Sequence, residues 1–360
     1  MRHKMKTWMK IGGTLLGAAV ILGGAGFWFV SRDQNDPLIT PERRARMEAS
    51  PHYKDGKFLP TTPHDPVKPK PSGMIDLLFP QKGNQIPDGP IPASMPDLSK
   101  IPPHEDVIVW LGHSSFYVQL SGKKILIDPM AAKYASPVPF IIKAFDGTDV
   151  FHAKDVPDGI DALILSHDHW DHLDYELTKE IEPKVKAVVT GLGNGGYYEK
   201  WGYPLSKIHE EDWGTRVDLD KDLSIWVLPT RHFSGRMLQR DITLFASFAI
   251  KAGNKTLYYS GDGGYDGRFV EIGKQFGSFD IAIMEDGQYN AIEWPTVHML
   301  PEQSVKASEE IHAKTVIPCH NGKYNLARHN WKEPRERFAK AAEGKDFNLI
   351  MPQIGEIVKV

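Results

Sequence analysis

The run Ser166-His167-Asp168-His169-Trp170-Asp171-His172 carries three imidazoles and two carboxylates in the spacing His-x-His-x-Asp-His. Neutral imidazole and carboxylate suit a divalent ion such as zinc, and this many exceed what one ion takes. The preceding run, Asp161-Ala162-Leu163-Ile164-Leu165, reads as a short buried strand, so the cluster falls where a strand ends and the chain turns toward a helix. A strand alone would send His167 and His169 to one face and Asp168 to the other. A turn after Trp170 is therefore needed to bring Asp171 and His172 to a second metal. A lone His-x-His pair is often only a polar loop, but four ligand-type residues in this spacing at a strand end read as a metal site.

Three further candidates close strand-like runs of their own. His232 follows the apolar run Leu223 to Leu228, Asp262 follows Tyr258-Tyr259-Ser260, and His320 follows Thr315-Val316-Ile317-Pro318-Cys319. Each alone is weak evidence; their shared placement suits one edge of a sandwich gathering ligands. His298 stands just ahead of an amphipathic helix that begins near Glu302. His113 reads as a structural residue of a Gly-His-Ser-Ser turn. His209, His312 and His329 have no partner pattern and read as surface residues. Cys319 is the only cysteine, which excludes an internal disulfide. It precedes His320 on a strand, so its side chain is expected to point away from the metals, as a small buried hydrophobe.

These residues resemble the metallo-β-lactamase-fold hydrolase superfamily and, within it, the N-acyl-phosphatidylethanolamine phospholipase D group. The resemblance spans roughly residues 43–360. Besides the His-rich run it includes Ser50-Pro51-His52-Tyr53, Trp110-Leu111-Gly112-His113-Ser114-Ser115 and Ile125-Leu126-Ile127-Asp128-Pro129. It continues through His232 with Arg236 and Asp241, Gly261-Asp262-Gly263-Gly264-Tyr265, Val297-His298-Met299-Leu300-Pro301-Glu302, and Cys319-His320-Asn321-Gly322. The resemblance implies two zinc ions: His167, His169 and His232 on one, Asp171, His172 and His320 on the other, and Asp262 bridging. It also implies catalytic roles for Asp262, as orienter of the nucleophile or acceptor of its proton, and for His298, as a polarising or acid group. Zinc would lower the pKa of bound water to about 7, so no Ser-His-Asp or Cys-His arrangement is required. Where the group has Trp-Gly-Thr-Phe after the last ligand, this chain has Asn321-Gly322-Lys323-Tyr324. That loop is expected to border the substrate cleft, so the departure leaves the exact substrate open.

The supporting elements follow from periodicity. Strand-like runs include Val107 to Leu111, Phe116 to Leu120, Lys124 to Ile127, Ala187 to Thr190, Leu244 to Ile250 and Ile281 to Met284. Helix-like stretches include Leu173 to Ile181, Gly267 to Phe276, Pro301 to Ala313 and Glu333 to Ala342. They interleave without repeats, consistent with an α/β, four-layer αββα metallo-β-lactamase sandwich over residues 104–360, a length that can bury a full core. Residues 31–103 form a Pro-rich linker or wrapping segment; 15 of the 27 prolines fall between Pro37 and Pro103. The patch Met74-Ile75-Asp76-Leu77-Leu78-Phe79 is expected to pack on the catalytic domain rather than touch a bilayer.

Residues 1–30 read as an N-terminal membrane anchor or signal sequence. Ile11 to Val30 carry no charge, and a helix of that length spans about 30 Å, the thickness of a bilayer core. Arg2, Lys4, Lys6 and Lys10 precede it, which predicts a single pass with a cytoplasmic N-terminus and an extracytoplasmic catalytic domain. Phe27-Trp28-Phe29-Val30 extends the apolar run past the small residues Gly23-Gly24-Ala25, which favours an uncleaved anchor.

The net charge of −3 gives no general attraction to nucleic acid, so none is expected as a partner. Homodimerisation is left open. The expected activity is that of a dinuclear zinc phosphodiesterase of phospholipase D type, cleaving N-acyl-phosphatidylethanolamine-like membrane phospholipid to phosphatidic acid and N-acylethanolamine. A lactonase or β-lactam hydrolase on the same metals is the alternative, and a non-catalytic metal-binding protein a third class. An apolar cleft would favour the lipid; a small polar pocket would favour the lactone or lactam.

Overall fold

The computed structural model describes residues 32–360 except 69, 71, 72, 139, 237 and 238. The expected membrane anchor at Ile11 to Val30 lies outside the described residues; among those described, no helix is long and apolar enough to cross a membrane. Residues 32–36 belong to an N-terminal unit of their own and form a turn in which Asn35 N donates to Arg32 O at 3.0 Å. Residues 37–360 make up the other unit.

The aliphatic and aromatic runs of this second unit pair into two seven-stranded sheets. One has the order Ile357–Lys359, Val107–Gly112, Ser115–Leu120, Lys123–Ile127, Ala162–Leu165, Val188–Gly191, Ile208–Glu211. The other runs Asn348–Leu349, Ala313–Cys319, Phe279–Glu285, Lys255–Tyr259, Ser247–Ala252, Leu223–Leu228, Arg216–Asp220. Both sheets are mixed: hairpins pair antiparallel, and each sheet then continues in parallel, Lys123–Ile127 beside Ala162–Leu165 and Lys255–Tyr259 beside Phe279–Glu285. Parallel strands require crossovers, and the helices that supply them cover the outer faces.

Three apolar clusters define the layers. Ile108, Phe116, Ile125 and Ile164 of the first sheet meet Ile225, Phe248, Leu257 and Ile283 of the second in the central core. Leu177 and Ile181 of the helix Tyr175–Ile181, with Tyr197 and Tyr198 of the helix Gly195–Lys200, cover the outside of the first sheet. Phe269 and Ile272 of Arg268–Phe276, Val305 of Pro301–Glu310 and Phe338 of Glu333–Ala341 cover the second. The result is an α/β sandwich of helices, two sheets and helices.

Two local expectations are corrected. The strand expected from Leu244 begins only at Ser247. Leu244 N and Ala246 N instead donate to Leu192 O (2.8 Å) and Ser166 O (2.9 Å), tying the lead-in to the ends of strands in the other sheet. The helix Gly195–Lys200 was hidden by Gly193-Asn194-Gly195-Gly196, a run that lowers helix propensity. The glycine at 196 is required there, because a Cβ would come within 2.4 Å of Leu38 O.

The Pro-rich segment runs along the surface of the sandwich and contains the helices Pro41–Ala49 and Gly73–Leu78. Met47 and Phe58 are buried against Leu192, Leu244 and Phe245, and Arg43 is held by Glu210 (2.7 Å) and Glu199 (2.8 Å). Further along, the ring nitrogens of His64 stand 2.7 Å from His232 O and 3.2 Å from Thr296 O. Of the patch Met74 to Phe79 expected to pack inward, Ile75, Leu78 and Phe79 are exposed, Leu77 is half-buried, and the side chain of Met74 lies outside the described residues. Helix Gly73–Leu78 turns its half-buried Asp76 toward Arg328 (3.5 Å), and this polar tie leaves the apolar face outward.

Candidate metal centre and active site

All seven residues expected as ligands converge where strands of the two sheets end. His167 and its neighbours follow Ala162–Leu165, His232 follows Leu223–Leu228, Asp262 follows Lys255–Tyr259, and His320 follows Ala313–Cys319. Carboxyl ends of strands are where open α/β sheets gather ligands. At Gly261 the chain needs φ +54°, and a Cβ would meet Ala246 O at 2.5 Å, so glycine there permits the bend that aims Asp262 inward.

Two triads share one carboxylate. His169 Nδ1 lies 2.8 Å from His167 Nε2 and 3.2 Å from His232 Nε2. Asp171 Oδ2 lies 3.4 Å from His172 Nε2 and 3.2 Å from His320 Nε2. Asp262 Oδ2 stands between them, 3.7 Å from His167 and 3.8 Å from His232 on one side, 3.1 Å from His172 and 3.0 Å from His320 on the other. His172 Nε2 and Asp262 Oδ1 are buried without a hydrogen-bond partner. Buried polar atoms left this way are costly, and a cation between them would satisfy both. The donor set, imidazoles and carboxylates in groups within 4.8 Å of one another, fits a divalent metal.

Electrostatics agree with that fit in the first triad. In the second, burial opposes protonation of His172 and His320, but Asp262 and Asp171 outweigh it and hold both above the usual histidine range. Burial, reinforced by neighbouring imidazoles, drives His167 and His232 well below the usual histidine range, and burial takes His169 down to about 4. These rings are neutral and can ligate. Burial opposes ionisation of Asp171 and Asp262 as well, but adjacent His172 and His320 outweigh it and hold both carboxyls well below the usual range.

Outer partners orient the ligands. Asp128, fully buried, accepts from His172 Nδ1 (2.7 Å), Ser166 N (2.8 Å) and Tyr259 OH (2.6 Å). His113 Nε2 donates to Asp171 Oδ2 at 2.8 Å, so the residue read as a turn histidine stands inside the site. Asp128, His113 and His320 have φ of +38°, +55° and +65°. Left-handed backbone at three non-glycine residues around one cluster is local strain of the kind that gathers at functional sites. Arg236 lies 3.9 Å from the Trp170 ring and donates to the carbonyls of Asp168 (3.1 Å) and Leu173 (2.8 Å), clamping the His-rich turn from both ends.

His298 lies beside the cluster, its ring 5.0 Å from that of His232 and 4.9 Å from that of His320. Its Nδ1 donates to Glu285 Oε2 at 2.9 Å, while Glu285 Oε1 accepts from Gly263 N (2.9 Å) and Met299 N (3.1 Å). Sequence reasoning missed Glu285. The only signal was its position at the end of the strand Phe279–Glu285, opposite Cys319. Cys319 itself is buried in the central core. Among the histidines read as surface residues, His312 is exposed and His209 half-buried. His329 differs: its Nε2 accepts from Gln288 N at 2.9 Å and its ring stacks on Tyr289.

A cavity of about 410 Å³ opens onto the cluster. Asp171, Asp262, His298 and His320 form its floor; Val67, Ile142, Phe233, Trp294, Val297 and Leu326 line its walls, and among the described residues Arg240 is the one lysine or arginine on its surface. Residues 321–324, expected at the cleft, do not line it: Lys323 Nζ donates to Met130 O at 2.6 Å, and Tyr324 OH donates to Ala132 O.

Residues 123–321, more than half the chain, match the beta-lactamase superfamily domain. An uncharacterized protein of Mycobacterium tuberculosis is 32% identical over 357 residues, 93% of this chain and 92% of that protein. The N-acyl-phosphatidylethanolamine-hydrolyzing phospholipase D 1 of Caenorhabditis elegans is 30% identical over 266 residues, 69% of this chain and 74% of its own length. A solved metallo hydrolase from Ignicoccus hospitalis shares the fold, with a TM-score of 0.54 at 19% identity over 71% of this chain and 98% of that one. The chain thus belongs to the metallo-β-lactamase-fold hydrolases, as a metal-dependent hydrolase with relatives among the N-acyl-phosphatidylethanolamine-hydrolyzing phospholipases D.

Proposed function

We propose that the chain is a phosphodiesterase of phospholipase D type, acting on N-acyl-phosphatidylethanolamine-like lipid at a membrane and carrying two zinc ions. His167, His169 and His232 would hold one ion, Asp171, His172 and His320 the other, with Asp262 between. Such ions supply Lewis acidity and a water acidified toward neutral pH.

The protein's own groups do the rest. Asp262 Oδ1, buried and without a hydrogen-bond partner, is placed to accept the proton of the attacking water. Protonated at both nitrogens, with Nδ1–H held by Glu285, His298 would give its Nε2 proton to the departing oxygen of the N-acylethanolamine as the phosphorus–oxygen bond breaks. Arg240 is placed to receive a phosphate oxygen at the cleft wall. Phosphatidic acid and N-acylethanolamine are the products.

The observation that carries this reading is the cavity itself: apolar walls above a His/Asp floor, with one arginine. A long acyl chain and a phosphate match that combination better than a small polar lactone. The C. elegans relative, by its name, hydrolyses N-acyl-phosphatidylethanolamine. A single membrane pass through residues 11–30, with the catalytic part outside the cytoplasm, belongs to the same reading.

The test offers N-acyl-phosphatidylethanolamine in mixed micelles to zinc-loaded full-length protein, beside Asp262→Ala, with products read by mass spectrometry. Phosphatidic acid formed only by the unsubstituted protein is the expected result. No turnover with two zinc ions bound would discard the lipid and bring lactones and β-lactams forward.

A further inference from the structure

Globular proteins seldom gather large exposed apolar side chains around one opening. Here six do so. Helix Gly73–Leu78 turns Ile75, Leu78 and Phe79 outward; Ile75 is 60% exposed and Phe79 76%. Positions i, i+3 and i+4 share one helix face, so this helix presents its apolar side to solvent. Val67, Phe140 and Ile292 are likewise exposed, Phe140 by 66% and Ile292 by 69%.

Val67, Phe140 and Ile292 sit on segments that wall the metal cleft, and the helix bearing Ile75 and Leu78 is tied to that wall. Val67 itself lines it. Phe140 lies two residues from Ile142, another wall residue, and Ile292 two residues from Trp294. Lys68 N donates to Glu293 O at 2.7 Å, so the strap bearing Val67 runs beside Ile292. Arg328 joins the helix to the same place, reaching Asp76 at 3.5 Å and Glu293 at 2.5 Å. The apolar lip is therefore continuous with the apolar cleft.

The charge around it is cationic. Lys68 and Lys70 flank the strap, Lys133 belongs to the loop bearing Phe140, and Arg240 lines the cleft; all four are exposed. Of the carboxylates on the same segments, Asp76 and Glu293 are taken by Arg328 and Asp146 by Lys143, leaving Asp65, Asp149 and the half-buried Asp241 beside Arg240. An apolar face ringed by lysine and arginine matches an anionic bilayer surface: rings enter the acyl boundary while the basic groups meet phosphates.

We propose that Ile75, Leu78, Phe79 and Phe140 form a docking lip that inserts into the surface of a lipid bilayer and sets the mouth of the metal cleft against it. The proposal rests on the phospholipid reading of the same cleft. It adds that lipid would pass from the bilayer to the metals across this lip, whatever residues 11–30 contribute to anchoring.

The test uses full-length protein with Phe79→Cys or Phe140→Cys, each labelled with a polarity-sensitive fluorophore; the one native cysteine, Cys319, is buried. Leu205→Cys is the control, exposed but not lining the cleft. The proteins are reconstituted in phosphatidylethanolamine–phosphatidylglycerol vesicles with and without lipid bearing a nitroxide quencher on its acyl chain. Quenching by about half at positions 79 and 140, with little at 205, is the expected result. No lipid quenching at 79 and 140 in vesicle-bound protein overturns the proposal, as does equal quenching at 205. A probe already shielded in detergent assigns the face to residues 11–30 or to a second copy, and also overturns it. Because quenching needs no hydrolysis, quenching without turnover would reject the phospholipase reading alone, and turnover without quenching the lip alone.

Discussion

Glu285 fixes His298: the imidazole Nδ1 donates to the buried carboxylate at 2.9 Å, which fixes the ring's orientation and commits Nε2 to the cleft. Two backbone amides, of Gly263 and Met299, hold the other carboxylate oxygen and prevent the pair from turning. In Glu285→Gln the amide can satisfy the same backbone donors but turns an N–H toward His298, which a ring protonated at Nδ1 cannot accept. The expected outcome is a fall in kcat of about 10–100-fold with a small change in Tm. His298→Ala should cost about as much, and the double variant little more, because the two act as one unit. Steady-state kinetics across pH, with thermal melts beside them, check it. A fully active Glu285→Gln would remove His298 from the chemistry.

That pair also shows where the sequence ceases to be readable. The candidate ligands stand out because metal chemistry demands rare residue types at short spacing, His167 to His172, and because each remaining one ends an apolar run. Glu285 and Asp128 also close apolar runs, and His113 follows one, but nothing local distinguishes them from structural residues. Their roles depend on partners brought close only by folding: Asp128 meets His172 across 44 positions and His113 meets Asp171 across 58. The sandwich was legible from alternating strand and helix runs, but not the helix at Gly195, where tertiary packing against Leu38 overrides weak propensity. The outward face of the helix at Gly73 was illegible for a related reason. Apolar residues are expected inside by default, and the inward side of this short helix carries Asp76, facing Arg328, instead.

Metal loading should grade with distance from the ions. Asp262→Ala removes the carboxylate shared by both triads, so metal per chain should fall sharply and activity with it. Asp128→Asn keeps every direct ligand but weakens the acceptor behind His172 Nδ1. Its expected effect is a loss of about 10–100-fold in metal affinity. Competition with a chelator, read by elemental mass spectrometry, gives both values. Equal affinities for Asp128→Asn and the unsubstituted chain would count against this support.

Arg240 offers a way to separate substrate classes. If it receives a phosphate oxygen, Arg240→Ala should lower kcat/KM for a phosphodiester by about 10–100-fold. Hydrolysis of a neutral lactone, should it occur at all, should change little. An equal loss on both substrates would mean that the arginine serves the cleft's shape, through its stacking on Phe233 at 5.2 Å, rather than its charge recognition.

The central core sets how rigidly the strand ends carry their ligands. Phe248 is fully buried among side chains of both sheets, so Phe248→Ala both removes transfer energy and leaves a cavity. A loss of about 3–5 kcal/mol is expected in urea unfolding. Leu205→Ala, at an exposed position, should stay within about 0.5 kcal/mol.

Lys323 gives the protein a stability that depends on pH in a stated direction. It is buried, with Nζ donating to Met130 O, and burial lowers its pKa from 10.5 to about 8. Between those two values the unfolded chain binds more protons at this position than the folded one, so this lysine's contribution to stability rises with pH. Below pH 8 the full penalty of a buried ammonium applies, about 3 kcal/mol; above pH 10.5 it is gone. Lys323→Met removes the titration and leaves the Met130 carbonyl without its donor, a cost that does not vary with pH. The unfolding free energy of the unsubstituted chain minus that of Lys323→Met should therefore climb by about 3 kcal/mol from pH 8 to 10.5, measured by urea titration. A difference that stays flat over that window would place the Lys323 ammonium in water, and with it the loop that follows His320.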